Sequence, residues 1–343
     1  MDTFLIIVIS VLGIIALAQI VRVFEISADL NGKDDSNDVK DKDNNVQGIL
    51  LGIFGVLLVG SFVAMLIGYD KVLLPKSASE HGVEIDNLMF ISMAVIIVVF
   101  FITQPILFGF SFKFRGNKNR KATYMEHNNK LEFIWTIVPA VVLAGLIIYG
   151  LTTWSNVMSP SNEDEEPMVV EIYAKQFAWT ARYAGEDNNL GYANVAMIEG
   201  TNTLGVDVND VNSLDDVVVN ELHLPVGKPI LLKFRSQDVI HSAYLPHFRV
   251  QMNCVPGTRT QFQFTPSVTT EEIRQEPDVI EKVKHINEIR AGKGEDPYEY
   301  DYLLLCNKIC GSAHYNMQLK IVVESQEEYE QWMSEQKTFA DAL

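Results

Sequence analysis

Cysteine and positive charge are both scarce in this chain. Only three of its 343 residues are cysteines, and none lies in a C-x-x-C-H motif, so no c-type haem is covalently attached to this chain. Lysine and arginine number 27, against 44 aspartates and glutamates. From residue 155 to the end there are 15 basic and 30 acidic residues, a net charge of −15. Such an acidic region argues against nucleic acid and anionic lipid as partners and favours a basic partner.

The part before residue 155 is apolar and nearly neutral, and it contains four hydrophobic runs, at 3–23, 48–68, 88–110 and 132–153. Each run has the ~20 residues that a helix needs to cross a bilayer. The stretch "ALAQ" in the first run resembles a signal cleavage site. Because Asp2 stands where a signal peptide has basic residues, we expect this run to be retained as a helix.

The charge of the loops predicts the orientation in the membrane. The segment "KFRGNKNRK" (113–121) is strongly basic, whereas the loop before the third run carries only Lys71 and Lys76. Positive charge marks the cytoplasmic side. We therefore expect the 111–131 loop in the cytoplasm and everything after Trp154 outside it.

The sequence after Trp154 predicts a β-sandwich. Its short runs are rich in Val, Ile, Phe and Tyr and are separated by Gly and Pro. They are "PMVVEIYAKQFAWTARY", "ELHLPVGKPILLKFRS", "VIHSAYLPHFRVQMN", "GTRTQFQFTP", "EYDYLLLC" and "MQLKIVVES". Two polar insertions interrupt them, at 184–219 and 269–299. In the second, a helical apolar stripe is predicted, made of Ile273, Ile280, Val283, Ile286 and Ile289.

The loop "CNKICGSAHYNM" contains two of the three cysteines, four residues apart. A disulfide between Cys306 and Cys310 is compatible with a location outside the cytoplasm, but it would leave His314 and Met317 without a role. Structural zinc takes four Cys or His ligands and has little use for methionine.

Thiolate and thioether together are soft ligands that suit copper. Two thiolates can bridge two copper ions, with one imidazole on each metal. The second imidazole would then come from another strand, where "DVIHSAYLPHF" offers His241 and His247.

The spacing C-x3-C-x3-H-x2-M, preceded in the chain by "HS" and "VPGT", resembles subunit II of bacterial haem–copper cytochrome c oxidases. The likeness runs from about Leu88 to Glu324 and includes the helix "LEFIWTIVPAVVL" and the strand "KQFAW". It implies membrane helices followed by an all-β, cupredoxin-like sandwich with a binuclear copper (Cu(A)) centre. It also implies that electrons pass from this centre to haems in a partner subunit I, where oxygen is reduced.

The resemblance further implies a ligand set and the role of each member. The two cysteines bridge the coppers, each histidine binds one metal, and the methionine is a weak axial ligand. The set is His241, Cys306, the backbone carbonyl of Lys308, Cys310, His314 and Met317. His247 has no such role and is expected at the surface or at an interface, and Cys254 is expected to be a small buried residue.

The chain departs from the family at several positions. Lys308 stands where the family usually has a glutamate that helps to bind Mg²⁺ at the subunit I boundary, and an ammonium group cannot ligate Mg²⁺. Asn253 replaces a usual aspartate nearby. The family's electron-entry tryptophan is Phe177 here, while Trp179 matches the second aromatic residue of that strand.

Glu132, at the start of the fourth run, matches a family glutamate at the mouth of a proton channel into subunit I. Its alternative role is compensation of the helix dipole. The runs at 3–23 and 48–68 are additional to the two that the family usually has.

These features divide the chain into an extra membrane hairpin (1–70), the subunit II hairpin (71–154), the copper domain (155–330) and a C-terminal tail (331–343). We expect a multi-pass protein of the bacterial inner membrane whose copper domain faces the periplasm. Its expected partners are oxidase subunits I and III, membrane lipid and a c-type cytochrome donor, which we expect to be held in place within a quinol-oxidising complex.

Two other function classes share parts of this pattern. Nitrous oxide reductase has the copper loop, but the membrane runs and the short chain oppose it. Subunit II of a quinol oxidase has the helices and the sandwich without the metal, and the intact Cys, His and Met set opposes that alternative.

Overall fold

The computed structural model describes residues 2–30, 41–69, 74–158 and 166–342. Four long helices come first, and a β-rich domain follows, so the predicted fold class is confirmed. The helices are α1 (Asp2–Leu30), α2 (Asp41–Tyr69), α3 (Glu80–Lys113) and α4 (Asn129–Met158). Helices α2, α3 and α4 are long and apolar enough to span a membrane, and in α1 the apolar stretch among the described residues is Leu12–Phe24.

The described residues form ten strands: β1 (Met168–Lys175), β2 (Ala178–Tyr183), β3 (Val217–Val219), β4 (Leu222–Pro225), β5 (Ile230–Ser236), β6 (His241–Leu245), β7 (Val250–Cys254), β8 (Thr260–Phe264), β9 (Tyr302–Cys306) and β10 (Gln318–Glu324). All six predicted runs form strands, and three of the runs fold as pairs of strands. Strand β3 was not predicted, because three residues are too few to show an alternating pattern.

The strands form two five-stranded sheets, in the orders β3-β2-β1-β5-β8 and β4-β10-β9-β6-β7. Alternate side chains from both sheets meet in one core, in which Ile172, Phe234, Leu245 and Tyr302 are almost completely buried. The second sheet positions the predicted metal ligands, since His241 begins β6, Cys306 ends β9, and these two strands pair.

Helices α5 (Thr270–Arg274) and α6 (Pro277–Lys293) form in the second insertion, as predicted, but the predicted apolar stripe is only partly correct. Ile280 and Ile289 are exposed, whereas Val279 is buried and Val283 packs on the core. The predicted stripe treats the segment as one continuous helix, whereas a second helix begins at Pro277. Residues before and after Pro277 therefore do not share one face.

The C-terminal region is helical as well. Helix α7 (Gln326–Ser334) crosses the boundary predicted at 330, and α8 (Phe339–Ala342) follows it. A capping box between Ser325 and Glu328 starts α7. Trp332 stacks on His223 with ring centroids 4.0 Å apart, which attaches α7 to the sandwich.

The described contacts divide the chain into two units, Met1–Gly60 with Ile102–Tyr124, and Ser61–Phe101 with Met125–Leu343. In the first unit, α2 can lie close to α3 because Gly55 has no side chain. A Cβ atom at this position would collide with the ring of Phe108. The second unit contains the whole sandwich together with α4 and the outer part of α3. The domain boundaries proposed from the sequence remain predictions.

Candidate metal centre

Three nitrogen and sulfur donors surround the thiols of Cys306 and Cys310 at one end of the sandwich. The two Sγ atoms lie 3.7 Å apart, and both cysteines are free thiols, so the disulfide alternative is not formed. The Nδ1 atom of His241 lies 3.8 Å from Cys306 Sγ, and the Nδ1 atom of His314 lies 3.6 Å from Cys310 Sγ. The Sδ atom of Met317 lies 3.8 Å from Cys310 Sγ.

The sixth predicted donor is also in place. The carbonyl oxygen of Lys308 lies 3.3 Å from Cys306 Sγ, while the Lys308 side chain is exposed. All the predicted ligands are therefore adjacent. His241, Cys306 and Cys310 form a tighter group, whose donor atoms lie within 4.8 Å of one another.

These spacings fit metal binding. With metal–sulfur and metal–nitrogen bonds of about 2.3 and 2.0 Å, two ligands of one tetrahedral metal lie about 3.5 Å apart. The observed donor separations of 3.6–3.8 Å are close to this value. Thiol, thioether and imidazole donors together select a soft metal such as copper.

The imidazole of His241 is oriented for this role. Its Nε2 atom lies 2.8 Å from Asp238 Oδ1, and because a carboxylate only accepts, Nε2 carries the proton and Nδ1 is left to bind a metal. Burial alone would raise the pKa of Asp238. Hydrogen bonds from His241 and from the backbone N–H groups of Gln176 and Val239 outweigh it and hold that pKa below its usual range.

Backbone hydrogen bonds fix the loop that carries the cysteines. Cys306 N–H donates to Met317 O at 3.1 Å, and Asn307 N–H donates to Ser242 O at 2.9 Å. The Gln176 side chain donates to Cys310 O. A side chain at Gly311, where φ is +144°, would collide with the ring of Phe177, so this position requires glycine.

Burial and, to a smaller extent, the neighbouring Cys306 together raise the pKa of the Cys310 thiol to about 11. A bound metal must therefore displace the thiol proton, which couples metal affinity to pH.

The two predicted electron-entry residues differ in exposure. Trp179 is 3% exposed, with its ring centroid 6.0 Å from that of His241, and its Nε1 donates to Met317 O at 3.4 Å. Phe177 is half-buried against Gly311. Phe177 can therefore face a partner, whereas Trp179 lies behind the metal loop.

Sequence reasoning missed two exposed side chains on the same loop. Among the described residues after Met158, Tyr315 and Ile309 are the most exposed large hydrophobic side chains, at 89% and 87%. They flank the predicted ligands His314 and Cys310. Their apolar character next to a metal ligand was the signal available in the sequence.

Two further predictions concern His247 and Cys254. His247 was predicted at the surface or at an interface, and the surface alternative is wrong: its ring is buried between Lys76 O, 2.9 Å from Nδ1, and the hydroxyl of Tyr300. Burial lowers the pKa of His247 to about 4, so this ring is neutral. Cys254 is buried as predicted, opposite His241 in the β6–β7 pair, and burial raises the pKa of its thiol to about 12.

Glu132 lies in the first turn of α4. Its Oε1 accepts from Asn128 N–H at 3.2 Å, and Asn128 Oδ1 accepts from Leu131 N–H at 3.0 Å. This reciprocal pair caps the helix, and the first turn is also the position from which the Glu132 carboxylate would compensate the helix dipole.

Comparison with known proteins agrees with the fold. The transmembrane-domain model of cytochrome c oxidase subunit II matches residues 68–153, and the periplasmic-domain model of the same subunit matches 168–273. The alternative cytochrome c oxidase subunit 2 of Bradyrhizobium diazoefficiens is 34% identical over 67% of this chain and 72% of its own length. Cytochrome c oxidase subunit 2 of Thermostichus vulcanus is 25% identical over 83% of this chain and 85% of its own.

Among solved structures, the periplasmic domain of subunit II from Bradyrhizobium japonicum matches with a TM-score of 0.30 and 20% identity, covering 50% of this chain and 93% of that one. The family models and the Bradyrhizobium diazoefficiens relative define a membrane-anchored electron-transfer subunit. The chain belongs to the cytochrome c oxidase subunit II family.

Proposed function

We propose that this chain is the copper-containing electron-entry subunit of a terminal oxidase in the bacterial inner membrane, with its sandwich in the periplasm. The observation that carries the proposal is the contiguous donor set around Cys306 and Cys310, at the end of a sandwich that follows membrane helices. Family membership supports electron transfer as the role. The donor set favours this function over a metal-free quinol oxidase subunit.

The proposed ligands are His241, Cys306, the Lys308 carbonyl, Cys310, His314 and Met317. A bound copper pair would supply a one-electron redox couple. The chain's own contribution is rigidity: backbone hydrogen bonds hold the loop, and Asp238 holds the His241 ring, so the donors move little between oxidation states. Since the six donors fill the metal positions, no place is left for a substrate.

The copper count is tested directly. We expect the detergent-solubilised chain, loaded with copper, to contain two coppers, to absorb in the near-infrared and to give a seven-line hyperfine pattern in EPR. Shared spin between two bridged coppers is the physical reason. One copper per chain with a four-line pattern would contradict the bridged pair.

The donor is proposed to be a c-type cytochrome, and subunits I and III are proposed as the neighbours in the membrane. The region after residue 155 carries −15, which suits a basic donor. Phe177 in place of an indole, the two insertions and the extra hairpin favour a donor docked within a quinol-oxidising complex, because a docked donor gains effective concentration.

A docked donor predicts that turnover from quinol to oxygen in native membranes changes little between about 20 and 200 mM salt, a range in which exposed charges become strongly screened. The same membranes supplied with a soluble basic cytochrome provide the control, whose rate should fall steeply. A steep fall with quinol as well would indicate a freely diffusing donor.

A proton-gathering role for Glu132 is proposed from the resemblance alone. If it holds, Glu132→Gln should slow oxygen consumption and leave the copper spectrum unchanged, because glutamine keeps the helix cap but cannot carry a proton. Asn128→Asp is the matched control, since it preserves the cap acceptor for Leu131. Unchanged turnover in Glu132→Gln would leave only the capping role.

A further inference from the structure

The segment before α3 is attached to the β-sandwich by a series of backbone hydrogen bonds. Ala78 N–H donates to His247 O at 2.7 Å, and Ser267 N–H donates to Ala78 O at 2.8 Å. The hydroxyl of Ser79 donates to Phe248 O at 2.7 Å, and both Ala78 and Ser79 are fully buried. This is the packing of a domain interior, and it lies where the chain passes from the sandwich's surface into a membrane helix.

Helix α3 contributes its own first turns to the same joint. A Cβ atom at Gly82 would collide with the hydroxyls of Ser77 and Ser79, so glycine is needed for the segment to lie against the helix. Glu80 N–H donates to Thr265 O at 3.1 Å, which adds the chain after β8 to the joint.

Arg249 connects the sandwich to α3 through its whole guanidinium group. Nε and Nη2 donate to the two carboxylate oxygens of Asp86, at 2.7 and 2.9 Å, in the two-pronged geometry that arginine favours. Nη1 donates to Pro246 O and Nη2 also donates to Pro75 O, at 2.6 and 2.7 Å. The Arg249 side chain is 8% exposed and that of Asp86 is 31% exposed, so solvent screens this ion pair less than one at the surface.

Asp86 lies near the start of helix α3, and Arg249 lies immediately before strand β7. Asp86 comes two residues before the apolar run that begins at Leu88, at the outer end of a helix long enough to span a membrane. Arg249 follows the short helical turn Pro246–Phe248, and its left-handed backbone (φ 53°) turns the chain into β7.

Strand β6 connects the Pro246–Phe248 turn to the proposed metal centre. Strand β6 starts at the proposed ligand His241 and ends at Leu245, immediately before the turn. Four residue steps of a strand span about 13 Å. Because β6 is paired on both sides, with β7 and with β9, it is a stiff connection between the Arg249 joint and the metal ligand.

Resting on the proposed function, we propose that Arg249 and Asp86 form a latch that sets the position of the metal centre relative to the membrane helices, and hence relative to the electron acceptor in the partner subunit. Arg249 is a positioning residue in this proposal: it contacts no metal donor and acts through β6. Electron transfer between fixed centres falls steeply with distance, so loosening the joint slows the onward step and leaves the copper site itself unchanged.

The test uses the assembled, copper-loaded oxidase carrying Arg249→Gln. A photoexcited ruthenium complex delivers one electron to the copper centre, and two rates are followed optically: reduction of copper and onward reduction of haem. We expect the near-infrared band and the copper reduction rate to match the wild type, and onward transfer to slow by about tenfold or more, the scale of loss that follows from small misplacement of reacting groups. Arg249→Lys keeps the charge but not the two-pronged geometry, so its rate of onward transfer should lie between those of the wild type and Arg249→Gln.

Arg274→Gln is the matched control. Arg274 also binds a carboxylate, Asp301, at 2.7 Å and donates to Tyr300 O, but it takes no part in the joint. Onward transfer within twofold of the wild type in Arg249→Gln, or equal slowing in Arg274→Gln, would overturn the latch. If Arg249→Gln does not assemble, Asp86→Asn is judged by the same criterion, since it leaves both carbonyl contacts of Arg249 in place. A wild-type enzyme whose copper band is absent would instead reject the proposed function.

Discussion

Replacing Cys310 with serine should abolish copper binding as a bridged pair and reduce oxidase turnover by at least about 100-fold. The Sγ atom of Cys310 lies within 3.6–3.8 Å of three other donors, those of Cys306, His314 and Met317, so it links His314 and Met317 to the rest of the donor set. A serine hydroxyl is a hard oxygen donor with a much higher pKa, and it cannot replace a soft bridging thiolate. Loss of an outer partner of a metal ligand typically costs 10–100-fold, and loss of the bridge should exceed that range.

Two matched variants make this result specific. Cys254→Ala removes the third, non-ligating thiol and should leave the copper content and the EPR spectrum as they are in the wild type. Met317→Leu should retain copper but shift the reduction potential, because the thioether is a weak ligand. Full copper content and full turnover in Cys310→Ser would contradict the proposed site.

The ligand set could be predicted because five of its six members lie in one twelve-residue loop. His241 is far away in sequence, and two features identified it: the resemblance and its position at a strand end. Its orientation could not be foreseen, since it depends on Asp238 and on the β6–β9 pairing. The spacing of ligands is local information, whereas their environment comes from tertiary contacts.

The same distinction explains the misplacement of His247. Its polar partners are distant in sequence: Lys76 lies 171 residues earlier and Tyr300 lies 53 residues later. Arg249 and Asp86 are 163 residues apart, so their pairing could not be predicted from the sequence either. Strand periodicity and membrane-length runs were visible because each depends on neighbours within about 20 residues.

A buried group of four charges lies on the first sheet, under the 184–219 insertion. Arg182 of β2 donates to Glu171 of β1 and to Asp216, both at 3.0 Å. Arg235 of β5 donates to both oxygens of Glu171, at 2.9 and 3.1 Å. Arg182 is 1% exposed and Asp216 is fully buried, so these charges are removed from water and depend on one another.

Replacing Arg182 with methionine should therefore lower the free energy of unfolding at pH 8, where Asp216 is ionised, by about 3–5 kcal/mol, the cost of removing one partner from a buried ion pair. Glu171 would keep Arg235, whereas Asp216 would lose its only charged partner among the contacts described above. Asp216 lies next to β3 and accepts from Gly191 N–H, so the 184–219 insertion should be the first part to loosen. Arg274→Met provides the control: that guanidinium is 32% exposed, and loss of a surface ion pair costs about 1 kcal/mol or less.

The destabilisation should also depend on pH, with a direction fixed by Asp216. Burial raises its pKa to about 7, although Arg182 and the Gly191 N–H oppose the shift. A carboxyl group whose pKa is higher in the folded than in the unfolded state stabilises the fold at low pH, and this contribution is lost as the pH rises through the folded value. Without Arg182 the pKa of Asp216 in the folded state rises further, so Arg182→Met should lower the free energy of unfolding least near pH 5, where Asp216 is protonated, and most near pH 8.

Urea unfolding of the detergent-solubilised chain at pH 5, 6.5 and 8, followed by near-ultraviolet circular dichroism, measures both the size of the loss and its pH dependence. A loss that is equal at all three pH values, or no larger than in Arg274→Met, would show that Asp216 is not held as a buried charge by Arg182.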